Sequence, residues 1–480
     1  MPESQITKNT IFVVAGASGD LAKKLVYPAF FSLFHRGYLP QPTYIVGYAR
    51  SIIDHETFLN QVTENIPKPA DDPTFPAKLE RFKAILSYQA GSYDDPAKFQ
   101  ELNIYLESLE SNYSGSERNR IFYLALPSTA FVQVAENLKK NVYTSHGTNR
   151  LIVEKPIGSD LESALELVHA ISQYWTEDET FRIDHYLGKE IIKAIPVLRF
   201  ANSVTSGFWD SKLISNVQIT LNESFGTEGR GGYYDTAGVI RDVIQNHLCQ
   251  VFSLLAMERP SQLNPTEIIN EKVKLLQATQ PVNPENVLLG QYIGYLDDPG
   301  VPKDSLTATY AANVLLINND RWYGVPFILR SGKALNETLV EVRIQYKDAP
   351  GSLFGNNPRS ELIMRIQPNE AISIKLNIKS PGFDSGVVPA ELKLNYKAAF
   401  PDVFIPGAYE VLIRDVLNGD HATFVRNDEL EAAWKIFTPI LHYIDGKTND
   451  PRPVPTKYEF GSQGPPELAE FLAAFDATRV

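Results

Sequence analysis

Residues Ile11-Phe-Val-Val-Ala15-Gly16-Ala-Ser18-Gly19-Asp20-Leu21-Ala22 decide the fold. The run from Ile11 to Ala15 has no polar face, so it reads as a strand buried on both sides, the kind found in parallel sheets covered by helices. The glycines that follow form a turn, and residues 23–34 have helical character. In such a unit the glycines let the backbone approach a pyrophosphate, and the free amides at the helix start present partial positive charge to it. Gly16, Ser18, Gly19, Asp20 and Leu21 are therefore the candidate dinucleotide-binding residues. Gly-x-x-Gly is sparser than the commoner Gly-x-Gly-x-x-Gly, so the reading depends on its surroundings.

Those surroundings agree. Thr43-Tyr-Ile-Val46 is a second short apolar run and ends in Gly47-Tyr-Ala-Arg50. An acid at the end of this strand would bond the ribose 2′-hydroxyl of NAD, whereas an arginine accommodates the 2′-phosphate of NADP. Arg50, with no acid before Asp54, predicts NADP. Further strands over 84–88, 121–126 and 151–153 alternate with helices over 96–109 and 129–139. The alternation predicts right-handed crossovers and an α/β doubly wound parallel sheet of Rossmann type over residues 1–178. Glu154-Lys155-Pro156 closes the last of these strands at the carboxyl-end crevice, where Lys155 could touch both sugar and nicotinamide.

Beyond residue 211 the texture changes. Ile372-Ser-Ile-Lys-Leu-Asn-Ile-Lys379, Leu392-Lys-Leu-Asn-Tyr396 and Val340-Glu-Val-Arg-Ile-Gln-Tyr346 alternate with period two, as antiparallel strands with one face on a core do. Helices over 239–257, 408–417 and 429–444 are expected to cover that face. Residues 179–480 thus form a larger α+β domain with a mainly antiparallel sheet.

A net charge of -12 over 480 residues argues against nucleic acid or an anionic membrane as partner, because their phosphates would be repelled. Cys249 is the only cysteine, which excludes an internal disulfide and suits a reducing compartment. The stretch Met1 to Thr10 is polar, and no apolar run is long enough to span a bilayer, so a soluble cytoplasmic protein is expected.

The chemistry concentrates in Arg182-Ile-Asp-His-Tyr-Leu-Gly-Lys-Glu190, which packs five ionisable side chains and a tyrosine into nine residues. Asp184 is expected to cap a helix starting at His185 or Tyr186, on which His185 and Lys189 share a face and converge, with Tyr186 beside them, on an anionic group. That helix should run to Phe200 and kink at Pro196. Farther on, Glu223-Ser-Phe-Gly-Thr-Glu-Gly-Arg-Gly-Gly-Tyr233 leads from a strand into a glycine-rich loop. Arg241-Asp242-Val-Ile-Gln-Asn-His247 then opens a helix on which Val243, His247 and Val251 share a face, leaving His247 desolvated. On pattern alone, a solvated helix start and a satisfied core histidine remain open.

The segment Arg182 to Glu190 resembles the signature of the glucose-6-phosphate dehydrogenase family, and so do Glu154-Lys155-Pro156, Glu223 to Tyr233, Arg241 to His247 and Arg330-Ser-Gly-Lys333-Ala-Leu335. The matches extend from Gly16 to about Gly464. The resemblance implies oxidation of D-glucose 6-phosphate to 6-phospho-D-glucono-1,5-lactone with hydride transfer to NADP, the first step of the oxidative pentose phosphate pathway. It makes His247 the general base and Asp184 its orienting carboxylate. It assigns His185, Tyr186 and Lys189 to the substrate phosphate, and Lys155, Glu223, Asp242 and Lys333 to sugar hydroxyls. It implies no metal, and a homodimer or homotetramer built through the large sheet.

A related sugar dehydrogenase acting on another sugar and a silent NADP(H)-binding regulator are the competing readings. The cluster of His185, Tyr186 and Lys189 speaks against the first, and the joint presence of Asp184 and His247 against the second. Some positions depart from the family pattern. Pro196 stands where an aliphatic residue is expected. Leu339, Ser373 and Gln463 stand where the second, structural NADP site of animal members would need a lysine, a tyrosine and an arginine, although Arg330, Arg343, Arg365 and Lys375 remain. One dinucleotide per subunit is the expectation.

Overall fold

The computed structural model describes residues 5–477 apart from 70, 71, 352, 356, 384 and 385. Residues 1–4 and 478–480, on which part of the N-terminal and tail readings rests, lie outside the described residues. The apolar run at the start becomes strand β1 (Thr10–Ala15), every residue of it buried. Ile11, Val13 and Ala15 enter one core cluster and Phe12 and Val14 the opposite one, which is why the strand carries no polar face. With β2 (Thr43–Ala49), β3 (Leu86–Ala90), β4 (Asn119–Leu124), β5 (Asn149–Val153) and β6 (Thr180–Arg182) it forms a parallel sheet in the order β3-β2-β1-β4-β5-β6. The sheet therefore takes its last strand from just beyond residue 178.

The second sheet is mixed. It comprises β7 (Ile214–Asn222), β8 (Val287–Tyr292), β9 (Tyr310–Leu315), β10 (Phe327–Gly332), β11 (Leu339–Tyr346), β12 (Glu361–Gln367), β13 (Ala371–Lys379), β14 (Val387–Asn395) and β15 (Thr456–Tyr458). Their order is β14-β13-β12-β11-β7-β10-β9-β8-β15. Only β7 with β10 and β8 with β15 pair in parallel; the other pairs are antiparallel.

Three expectations are corrected by this architecture. The helix read over 408–417 is Ala408–Asn418, but Leu412, Ile413, Val416 and Leu417 pack into the first domain with Phe12, Phe30 and Phe181 rather than onto the large sheet. An amphipathic helix shows that it needs an apolar partner, not which one. Strands β13 and β14 alternate as read, yet among the described residues much of their apolar face is left uncovered: Ile372 and Ile374 pack against the core, but Leu376, Ile378, Leu392 and Leu394 are all exposed. Finally, the helix expected to start at His185 or Tyr186 starts only at Glu190 and runs to Phe200 with Pro196 inside it.

Candidate active site

Asp184 follows directly on β6, at the carboxyl end of the parallel sheet, and its backbone is extended. Its Oδ1 accepts the Tyr186 backbone N–H at 3.0 Å, which starts a single 3-10 turn, His185–Gly188. His247 arrives from the other domain on Ile240–Leu248, a stretch wound as a π-helix rather than the α-helix expected, and is 3% exposed. Its Nδ1 lies 2.6 Å from Asp184 Oδ1, across 63 residues of sequence. Burial opposes the charge on Asp184, but the charge and hydrogen bond of His247 outweigh it and hold the carboxyl down at about 2. An ionised carboxylate can only accept, so Nδ1 carries the hydrogen and Nε2 keeps a lone pair. Burial also pushes the imidazole below its ordinary value, against the pull of Asp184. The pair is therefore carboxylate and neutral imidazole near pH 7.

Rings fix the imidazole. Tyr186 stacks on His247 at 4.3 Å between centroids and 19° between planes, and His185 meets it edge-on at 4.5 Å. Asp184, His185 and His247 place donor atoms within 4.8 Å of one another, a set of metal-ligating type. Here Nδ1 of His247 and Oδ1 of Asp184 are bonded to each other.

Two further charged pairs lie beside this dyad. Lys155, just beyond β5, donates to the Asp242 carbonyl at 2.8 Å and approaches its Oδ1 at 3.3 Å. Lys333, at the end of β10, donates to Glu223 Oε2 at 2.5 Å. Glu223 directly follows Asn222, the end of β7. The parallel pairing of β7 with β10 brings Gly332 opposite Asn222, so two residues 110 apart in sequence emerge side by side. Burial pushes Asp242 up, yet the charges of Lys155 and Lys333 hold it below its ordinary value. Such a set offers ammonium donors and carboxylate acceptors in alternation, the complement of a polyhydroxylated ring.

His185 and Lys189 do not share a helix face, contrary to expectation. The turn ends at Gly188, where a Cβ would meet the Ala408 carbonyl oxygen at 2.5 Å, and Lys189 is extended at φ -75 and ψ 137 before a new helix begins at Glu190. Lys189 Nζ instead reaches across to Gln367 at the end of β12, donating to Oε1 at 2.7 Å, and sits 5.0 Å above the Tyr186 ring. His185, whose imidazole burial pushes well below its ordinary value, and Lys189 still border one cavity of about 600 Å³. Gln367 had no signal in the sequence, because its contact with Lys189 spans 178 residues.

The glycine turn lies at the carboxyl end of β1. Gly16 has φ +85, and a Cβ there would fall 2.2 Å from the Ala125 carbonyl oxygen, so the chain requires glycine and stays bare of side chain at this point. Gly19 N–H donates to the Gly16 carbonyl at 2.9 Å, closing the turn. Ser18 and Leu21 are half-buried, and Asp20 is exposed and paired with Lys24 at 2.9 Å. Arg50 extends from the end of β2, exposed, with its guanidinium 5.5 Å from the Tyr93 ring. Its charge is thus held at the rim of the same crevice.

One group behind the site was read in the sequence only as a member of the Glu154-Lys155-Pro156 motif. Glu154 is 4% exposed and accepts from Tyr123 Oη at 2.6 Å; Tyr409 also hydrogen-bonds to it. Tyr409 in turn lies nearly parallel to His185, 5.8 Å away. Burial lifts the Glu154 carboxyl to about 7, against the hydrogen bond from Tyr123 and the charge of Lys155. The helix Ala408–Asn418, by packing on the first domain, is what brings Tyr409 here.

Known proteins resemble the chain throughout. Residues 13–194 match the family described as glucose-6-phosphate dehydrogenase, NAD binding domain, and residues 196–478 the corresponding C-terminal domain. Glucose-6-phosphate 1-dehydrogenase of Emericella nidulans is 47% identical over 479 residues, covering 98% of this chain and 92% of the relative. The enzyme of that name from Saccharomyces cerevisiae is 47% identical over 477 residues, covering 97% and 93%. A solved structure of glucose-6-phosphate dehydrogenase in complex with its substrate glucose-6-phosphate superposes with a TM-score of 0.94 at 45% identity, covering 99% of both chains.

Proposed function

The chain belongs to the glucose-6-phosphate dehydrogenase family, and from that premise we propose that it oxidises the C1 hydroxyl of D-glucose 6-phosphate to 6-phospho-D-glucono-1,5-lactone, using NADP. The observation that carries the reading is the buried Asp184–His247 pair, set beside two lysine–carboxylate pairs. Oxidising a hemiacetal hydroxyl requires a base for its proton as hydride leaves the carbon. His247 Nε2 is free to accept that proton, and the Asp184 carboxylate stabilises the imidazolium formed. Lys155, Asp242, Glu223 and Lys333 hold the ring hydroxyls and so fix which carbon faces the base. His185, Tyr186 and Lys189 take the phosphate.

The turn at Gly16 suits a dinucleotide, since a pyrophosphate can approach backbone where a Cβ would collide. Gly16, Ser18, Gly19, Asp20 and Leu21 would hold it, Arg50 would pair with a 2′-phosphate, and Lys155 would lie by the nicotinamide. When bound, NADP supplies the hydride acceptor.

The last two strands at one end of the large sheet, β13 and β14, support self-association. In the pairing of β13 with β14, Ile372, Ile374, Leu376 and Ile378 stand opposite Leu394, Leu392, Ala390 and Val388, so these residues share one face of the sheet. We read the molecule as a homodimer or homotetramer built there. Among the described residues no helix is long and apolar enough to cross a membrane, and a cytoplasmic location is our reading of a chain with a single buried cysteine.

NADPH absorbance tests the activity directly. Glucose 6-phosphate with NADP should give rapid reduction, while unphosphorylated glucose should give little. Comparable rates with both sugars would turn the assignment toward the related sugar dehydrogenases.

A further inference from the structure

Behind the dyad, on the side facing Trp434 and Ala433, a cavity of about 40 Å³ lies between the Lys155–Gly158 loop and the helix that carries His247. Asp184 and Gln250 both line it. Asp184 is 3% exposed and Gln250 4%, and neither Asp184 Oδ2 nor Gln250 Oε1 receives a hydrogen bond from any described protein group. Gln245, 6% exposed, also lines it, and three further polar residues around the cavity are committed elsewhere. Lys155 donates to Asp242, Arg241 pairs with Asp445 and with the Ser159 carbonyl, and Asn246 Nδ2 donates to the Arg241 carbonyl. Two residues with unpartnered acceptors, one of them ionised, thus border the same small space among Ile157, Ile183, Leu430 and Trp434.

A buried carboxylate oxygen without a donor is strongly disfavoured, and one water can donate to both of the unpartnered acceptors whose residues line this cavity. A cavity needs only about 10–15 Å³ of probe volume to take a water, and this one exceeds that. We propose that a structural water occupies this cavity, donating one hydrogen to Asp184 Oδ2 and the other to Gln250 Oε1, and that Gln250 is thereby a positioning residue for the catalytic dyad.

The arrangement divides the labour of Asp184 between its two oxygens. Oδ1 takes the His247 ring N–H and the Tyr186 amide, and Oδ2 takes the water. Gln250 follows His247 by three residues and its amide fixes the water. The carboxylate plane is then fixed from both sides, and with it the direction of His247 Nε2. The water also shares the carboxylate's charge. Without it that charge would act more fully on His247, favour the imidazolium and leave less free base at a given pH.

The inference rests on His247 being the base, and its test has one arm that does not. A crystal structure resolving ordered water should show one at this place, bonded to both Asp184 and Gln250; a dry cavity, or a water touching only one of them, overturns the proposal whatever His247 does. Kinetics supply the other arm. Gln250→Leu should lower kcat about tenfold, with KM for glucose 6-phosphate nearly unchanged, and shift the acidic limb of kcat/KM to higher pH. Gln250→Asn, which keeps an amide in place with room for a further water, should restore most of the rate. A folded Gln250→Leu protein with an unmoved limb contradicts the positioning role. Should that variant not fold, Gln250→Met takes its place in the same comparison. Failure of the underlying reading would be seen separately, as turnover retained by His247→Asn.

Discussion

At the scale of single residues, the proposed base is a buried imidazole that is neutral near pH 7. Replacing it in His247→Asn keeps a polar group but no base, and kcat should fall by roughly 10²–10⁴ with KM little changed; a variant keeping a tenth of the rate would refute the role. Because burial depresses the His247 pKa, the base stays unprotonated below the ordinary histidine value of 6.5. In the parent enzyme kcat/KM should therefore hold constant down to about that pH and fall only at lower values. A limb centred above 6.5 would contradict the desolvated site. Glu154 gives a stability prediction of opposite origin. Its carboxyl is raised from 4.5 to about 7 by burial, so the folded state prefers the protonated form. That preference contributes fully below pH 4.5 and is lost as pH rises through 7, on the order of 3 kcal/mol in all. Glu154→Gln should flatten this part of the stability–pH curve and raise the denaturation midpoint at pH 8. Parallel curves for the two proteins would show that Glu154 does not titrate in this range. These side chains were legible as motif members, since their types and local spacing sit in the sequence. Their partners were not: the Asp184–His247 and Lys189–Gln367 contacts span 63 and 178 residues, and local periodicity carries no information at that distance.

At the scale of elements, the strand–turn–helix from β1 into Tyr27–His35 was the most readable part, because burial on both faces and a glycine at positive φ leave direct compositional marks. The end of β2 is equally local, and it yields a prediction. Arg50 is exposed and makes no ion pair among the described residues, so Arg50→Ala should cost little stability but raise KM for NADP by one to two orders of magnitude, roughly the worth of a charge-assisted phosphate contact, while KM for NAD changes little. Equal losses with both dinucleotides would mean that Arg50 supports the adenine or the loop instead. Other elements were readable in type but not in placement. The helix Ala408–Asn418 has an apolar face that would suit either sheet, and only the return of the chain to the first domain sets Tyr409 against His185. The π-winding of Ile240–Leu248 left no mark on the apolar spacing of Val243, His247 and Val251, yet it is part of what aims His247 at Asp184.

At the scale of the whole molecule, the large sheet presents two surfaces with different fates. Among the described residues the apolar face of β13 and β14 is only partly covered: Ile372 and Ile374 pack against the core, but Leu392 is 66% exposed on it. A charge in its middle, Leu392→Glu, should shift sedimentation from dimer or tetramer toward monomer; unchanged assembly would place the contact elsewhere. On the same sheet, three of the four cations that a second dinucleotide would need are already ion-paired, and the fourth, Arg330, donates to Thr220 at 2.8 Å. Arg343 pairs with Glu361 at 2.5 Å and Glu341 at 2.8 Å, Arg365 with Glu341 at 3.0 Å, and Lys375 with Glu361 at 3.4 Å, around carboxylates whose side chains are only 6–7% exposed. A phosphate entering there would have to displace buried carboxylates and leave them unpaired, which costs several kcal/mol for each ion. Leu339 and Ser373 offer it neither charge nor ring. The crevice at Gly16, by contrast, presents bare backbone and an exposed arginine. Calorimetric titration of cofactor-free protein with NADP should thus give one site per subunit, and Arg50→Ala should weaken that site and uncover no other. A second tight site that persists in Arg50→Ala would mean that the ion pairs among Arg343, Arg365, Lys375, Glu341 and Glu361 open to admit a dinucleotide, and the one-site reading would fall.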